Sequence, residues 1–288
     1  MDVDPGLHAH VSRLFAPLNR QRATDGFPTT DSLSDALTSS ATHKPKPKAA
    51  YPVGIPPVVA SMFSTAGVNS WMRAVHSFLV SAALTDVSPI WASVAGYYSS
   101  HYSVRAIAHV LGFFQLFAAK QTVQIELDGN HFKGTFNPKT GNDREHRLYW
   151  KFVKSNVLFA DDPFFTDNDS SRDPSDAGHR ERANYADFLH DFPQFRPLDR
   201  EELVRRIRRI SNIEFSAPPI PSRNRYPDIE SVQVVAYHRL VKFRDLLDEI
   251  LGAGNRFWSV HRNPSWARDF VDYQLVDAKT NPGALGKE

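Results

Sequence analysis

The sequence predicts a mainly α-helical protein, a helical bundle that carries a small inserted β-hairpin and a long acidic loop. Three patterns predict it. From Ile90 to Leu116 the apolar residues Ile90, Val94, Tyr97, Val104, Ala108, Leu111 and Leu116 recur mostly at spacings of three, four or seven, the signature of one buried helix face. The same period returns in Val232, Val235, Leu240, Phe243, Leu247 and Ile250. Period two appears in Val123-Gln124-Ile125-Glu126-Leu127, directly before the turn residues Asp128-Gly129-Asn130.

Composition narrows the classes. With 41% hydrophobic residues over 288 positions, the chain has enough apolar surface for a continuous core. It has no cysteine, which excludes a disulfide framework, thiolate metal clusters and a cysteine nucleophile. Lys and Arg number 34 against 32 Asp and Glu, a net charge of +2, so attraction of nucleic acid or membrane must be local. The acidic start Met1-Asp2-Val3-Asp4-Pro5 lacks the basic opening of a signal peptide, and export is not expected. The longest apolar run, Val104 to Ala119, is broken by Arg105, His109 and Gln115 and is shorter than the roughly 20 residues a bilayer needs. The expectation is a cytoplasmic chain with no membrane partner.

Along the chain, Leu7, Val11, Leu14 and Phe15 form one stripe, predicting a first helix that ends before Pro17. Asn19 to Pro57 is rich in Thr, Ser, Asp, Lys and Pro and reads as a linker, so residues 1–57 are an arm plus a disordered linker and 58–276 the helical domain. Within that domain, helices are expected over Val58 to Ala66, over Asn69 to Leu84, and in a long segment opened by Ser88-Pro89, where Ser caps and Pro suits the first turn. The hairpin occupies about 121–137, and a short helix is expected over Leu148 to Phe159. Residues 161–199 hold ten acidic residues against four arginines, a local charge of −6, and read as the acidic loop. Arg200 to Ser211 is predicted as a helix with Arg205, Arg206, Arg208 and Arg209 on its exposed sides, stopped by Pro218, Pro219 and Pro221. Pro227-Asp228 opens the long C-terminal helix, which ends near Gly252. Helical pieces around Arg256 to His261 and Ser265 to Val276 precede a tail at 277–288.

Two clusters carry candidate chemistry. His101, Arg105 and His109, at i, i+4 and i+8, share one helix face. Imidazole titrates near neutrality and guanidinium stabilises a phosphorane-like charge, so this strip suits proton transfer at a phosphate. Packing as hydrogen-bonded polar residues between helices is the other reading of the same spacing. The second cluster is Ser222-Arg223-Asn224-Arg225-Tyr226-Pro227-Asp228, behind the Arg-rich helix. From Arg200 to Arg244 ten basic residues face five acidic ones, a local charge of +5. Arg223 and Arg225 suit phosphate contacts, with Arg205, Arg208 and Arg209 beside them; Tyr226 suits stacking on an unpaired base, and Asn224 orients a phosphate or ribose hydroxyl. The alternative is a capped helix start at Pro227-Asp228. No complete metal-ligand pattern, phosphate cradle or nucleophile elbow occurs, and no metal or cofactor is expected.

Tyr97-Tyr98-Ser99-Ser100-His101-Tyr102-Ser103-Val104-Arg105-Ala106 resembles the aromatic and Arg-Ala helix of the HEPN superfamily, and Arg223-Asn224 resembles the start of its Arg-Asn-x-x-x-His motif. The resemblance spans about Trp71 to Leu251. Asp228 stands where the motif histidine belongs, and Arg105 and His109 are one residue closer than that spacing. The resemblance implies a helical, RNA-associated protein of prokaryotic defence or toxin-antitoxin systems, dimeric in its active form. Where such proteins cut RNA, Arg and His promote attack of a 2′-hydroxyl on the adjacent phosphate without a metal. Carried over, the roles fall to Arg223 and Asn224 at the phosphate and His109 or His101 as proton carrier, with Arg105 beside them. Two other functions fit the same residues: a non-catalytic helical module that dimerises or docks a larger effector through the basic ridge and acidic loop, and a nucleotide or small-molecule sensor.

Overall fold

The computed structural model describes residues 3–20, 51–54, 57–116, 121–138, 145–166, 200–212, 229–252 and 254–262. It is mainly helical with a small antiparallel sheet. Among the described residues, no helix is long and apolar enough to cross a membrane. The chain divides into two compact units, and four of the described helices contribute residues to both. The first unit comprises Met1–Ser70, Val104–Leu158 and Asp245–Ser259; the second comprises Trp71–Ser103, Phe159–Arg244 and Val260–Glu288.

In the first unit, α1 (Pro5–Phe15) starts where Asp4 accepts from the amides of Gly6 (3.0 Å) and Leu7 (3.1 Å), with Pro5 in the first turn. It buries Val11, Leu14 and Phe15 completely, so the predicted arm is part of the core of this unit. Ser64, on the following helix α2 (Pro57–Leu84), donates to the carbonyl of Leu14 at 3.0 Å. The two helices expected over this region are one. Gly67 does not interrupt α2 because it lies at a close approach: a Cβ there would come within 2.7 Å of Val110 Cγ1 on α3 (Pro89–Val110).

The long apolar run after Ser88-Pro89 is not one helix to Leu116. Helix α3 stops at Val110, and Gly112, at φ +88°, turns the chain into a strand. The sheet has the order β1-β4-β3-β2, every pair antiparallel. The predicted hairpin forms β3 (Gln121–Asp128) and β4 (His131–Pro138), joined through Gly129 at φ +57°. Two strands that the pattern did not announce extend it: β1 (Tyr51–Gly54), inside the stretch read as linker, and β2 (Phe113–Leu116). Cross-strand register places Phe114, Val123 and Phe136 in one row, all buried. Helix α4 (Glu145–Ser155) packs on β2 through Phe113 and Phe152, whose rings stack at 4.5 Å.

In the second unit, Trp71 of α2 donates its indole N–H to Leu240 O (3.1 Å) of α7 (Ile229–Leu251) and stacks on Phe243. A small residue also lets α3 approach α7 closely: a Cβ on Gly96 would lie 2.7 Å from Val232 Cγ1. Two of the buried hydroxyls donate to neighbouring carbonyls, Ser81 to Ala92 O (2.6 Å) and Ser99 to Ala74 O (2.9 Å). The acidic segment begins with a short helix, α5 (Pro163–Thr166), whose Phe164 carbonyl accepts from Arg239 Nε at 2.6 Å. Residues 167–199 of that segment and the helical piece expected over Ser265 to Val276 lie outside the described residues. Helix α6 (Arg200–Asn212) and the short α8 (Arg256–His261) form where the sequence predicted them.

Candidate functional site

Helix α3 ends in the first unit with Arg105 and His109 one turn apart, and Gly112 aims the next strand so that its first carbonyl returns to the imidazole. Nδ1 of His109 lies 3.0 Å from Phe113 O, and Arg105 Nε donates to His109 Nε2 at 3.3 Å. Because Nε2 accepts, the ring proton sits on Nδ1 and is directed at the carbonyl. Tyr149 of α4 closes the group: its ring meets His109 edge-on at 5.4 Å, the Arg105 guanidinium lies 5.4 Å from its centroid, and its hydroxyl accepts from the amide of Gln115 at 3.2 Å.

His109 is 0% exposed. Burial first, and then the positive charge of Arg105, push its pKa well below the ordinary histidine value, against the opposing pull of the Phe113 carbonyl. At neutral pH it is therefore an uncharged imidazole that orients Arg105 through Nε2 and ties α3 to β2 through Nδ1. Arg105 is half-buried. His101, in the second unit, is 2% exposed, with its ring parallel to Tyr97 at 6.4 Å and tilted against Tyr102 at 5.7 Å.

The arginine ridge has a different character. On α6, Leu203, Ile207 and Ile210 are buried, whereas Arg205 and Arg209 are exposed and Arg208 is half-buried. Arg206 is anchored: it donates to Ala82 O at 2.9 Å and pairs with Asp86, with Glu202 at 3.5 Å. That anchor fixes the rotation of α6, and its remaining charged side faces water. Arg223, Asn224, Arg225 and Tyr226 lie outside the described residues.

Two participants had no local signal. Tyr149 joins the Arg105–His109 pair from 40 positions down the chain, and His10 of α1 lines a pocket against β3 and α4. No family model matches this chain, and neither a curated protein nor a solved structure matches it.

Removing the Tyr149 hydroxyl tests the polar group directly. Tyr149→Phe leaves the buried Gln115 amide without this acceptor and is expected to cost about 1–3 kcal/mol in urea unfolding. An unchanged midpoint would mean that this hydrogen bond contributes nothing.

Proposed function

We propose that the chain is a non-catalytic helical interaction module that docks a larger protein partner, with the arginine-bearing side of α6 as its docking surface. The observation that carries this reading is the division of α6 into a buried apolar side and an exposed cationic one, held in one rotation by Arg206. An acidic face is the partner chemistry that matches Arg205 and Arg209, because guanidinium pairs with carboxylates in a planar fork. His109 supports the non-catalytic half of the proposal. A fully buried imidazole whose Nδ1 proton is directed at a carbonyl, and whose Nε2 accepts from Arg105, has both ring nitrogens engaged inside the fold and offers neither to an RNA phosphate.

The second reading is a HEPN-like, RNA-associated protein with metal-independent endoribonuclease activity, and the same exposed arginines favour it as phosphate ligands. In that case Arg223 and Asn224 act at the phosphate and His101 or His109 moves the proton.

One experiment separates them. Wild type and an Arg205→Ala/Arg209→Ala variant are incubated with RNA in the presence of a chelator, and both are used to capture partners from a nuclease-treated lysate. The module reading expects intact RNA and a captured protein that the variant loses. Cleaved RNA, or RNA binding through three or four arginines that weakens steeply as salt rises, would replace it with the RNA reading.

A further inference from the structure

Separate ties hold α1 in place in the first unit. Val11, Leu14 and Phe15 are fully buried, and the Phe15 ring meets Phe257 at 6.0 Å. The Leu14 carbonyl accepts from Ser64 at 3.0 Å, and Arg13 donates to Asn130 O in the hairpin turn at 3.0 Å. None of these groups changes charge between about pH 7 and 5. His10 is a tie that does. It is 8% exposed, hydrogen-bonds the Val110 carbonyl, and meets Phe132 of β4 edge-on at 5.4 Å. Its ring also fills the space beside Gly112, where a Cβ would lie 3.3 Å from His10 Cε1. The imidazole is thus seated against the turn that leads from α3 into β2.

This seat has no place for a second ring proton. The bond to a carbonyl uses the N–H of Nδ1, which leaves Nε2 unprotonated. Nε2 is buried and has no hydrogen-bond partner among the described residues. A proton added there becomes a buried N–H without an acceptor, on a ring that now carries charge. The charged groups on the surrounding elements are engaged elsewhere or turned to water. On α1, Asp4 takes the amides of Gly6 and Leu7, and His8 and Arg13 are exposed. On the strands, Glu126 accepts from Gln124, Lys133 pairs with Asp128, and His131 is exposed. On α3, Arg105 is bound to His109. The residues that α4 brings to this side, Phe152, Ser155 and Asn156, are uncharged. Burial therefore holds the ring neutral, at a pKa of about 4, against the pull of the Val110 carbonyl.

We propose that His10 is an acid-operated latch: protonation of its ring releases α1 from the turn between α3 and β2, and the helix undocks while the sheet stays folded. The pairings of β1 with β4, β4 with β3 and β3 with β2 do not pass through α1, so its departure breaks none of them. Undocking uncovers Val11, Leu14 and Phe15, so acid controls the exposure of this apolar stripe. The undocked imidazole takes up the proton that the docked one refuses, and undocking is favoured as pH falls below about 6.5. The inference does not depend on docking through α6.

Amide hydrogen exchange of the full-length protein tests the latch, followed by NMR at pH 7 and pH 5 and corrected for the intrinsic exchange rates. The amides of Leu14 and Phe15 report on α1, and that of Ile125, bonded to Gly112 O at 2.8 Å, reports on the sheet. A ring pKa of 6.5 when undocked and about 4 when docked makes the undocked state about 20-fold more populated at pH 5 than at pH 7. The expected result is that Leu14 and Phe15 lose about 20-fold in protection over this range and are less protected than Ile125 at both pH values. His10→Phe and His10→Gln are neutral at both pH values, and whichever of them folds should abolish the 20-fold change at Leu14 and Phe15. The proposal is overturned if the α1 amides keep their protection at pH 5, or if a folded His10 variant retains the change. It is equally overturned if the α1 amides and Ile125 show the same protection at both pH values, because α1 would then open only when the whole unit unfolds.

Discussion

Lowering the pH from about 7 to about 5 is expected to cost this protein about 2 kcal/mol of stability through the buried His10, and a further loss through the buried His109. His10 falls from its ordinary 6.5 to about 4, and His109 is also held well below that value. Burial is the largest cause in both; Arg105 adds to it for His109, and the carbonyls of Val110 and Phe113 oppose it. In each case the folded pKa lies below the unfolded one. Over the window between them the unfolded chain binds a proton that the folded chain refuses, so the stability is fully present above 6.5 and is lost as pH falls toward the folded value. Other histidines also titrate between about pH 7 and 5, but a group contributes to the pH dependence of stability only through the difference between its folded and unfolded pKa. Urea unfolding of the wild type at those two pH values measures the loss, and His10→Phe should reduce the difference by about 2 kcal/mol, whatever its stability at neutral pH. Equal midpoints at the two pH values would mean that neither imidazole is held neutral by the fold.

The two histidines also show how far the sequence could be read. Helix α6 was legible because Leu203, Ile207 and Ile210 repeat at helical spacing and the arginines occupy the other positions. The hairpin was legible because Gly129 supplies the left-handed turn between two alternating strands. Strand β1 was not, because Tyr51-Pro52-Val53-Gly54 is too short to alternate and sits among prolines; its pairing with β4 comes from tertiary structure. Strand β2 was hidden for another reason. Phe113 to Leu116 prolongs the apolar run of α3, and a short apolar run reads equally as helix or strand. At the candidate site, the spacing of Arg105 and His109 correctly placed them on one face, but burial depends on Tyr149 and Phe113, and helical spacing alone carries no information about either. The role of His10 was likewise invisible, since its environment is assembled from Val110, β3 and α4.

Gly112→Ala is expected to be the most damaging single-methyl addition among these glycines, with a loss above about 3 kcal/mol or failure to fold. Two costs add. At φ +88° an L-residue pays roughly 1–2 kcal/mol for the left-handed backbone. A Cβ here would also come within 2.5 Å of Ile125 O and 2.9 Å of Ile125 Cγ1, and the first of these is strand backbone that cannot rotate away. Relief requires moving β2 from β3, but the Gly112 carbonyl accepts from Ile125 N at 2.8 Å and the next residue's carbonyl lies 3.0 Å from His109 Nδ1. The displacement would therefore strip the buried imidazole of its acceptor at the same time as it breaks the edge of the sheet. Gly252→Ala is the matched control: its φ is +62°, but a Cβ there finds nothing within 4 Å, so only the backbone cost applies. Chemical denaturation of the two variants side by side isolates the contribution of close approach. If Gly112→Ala were no less stable than Gly252→Ala, the contact between Gly112 and Ile125 would not be tight, and the positioning of His109 by this turn would fall with it.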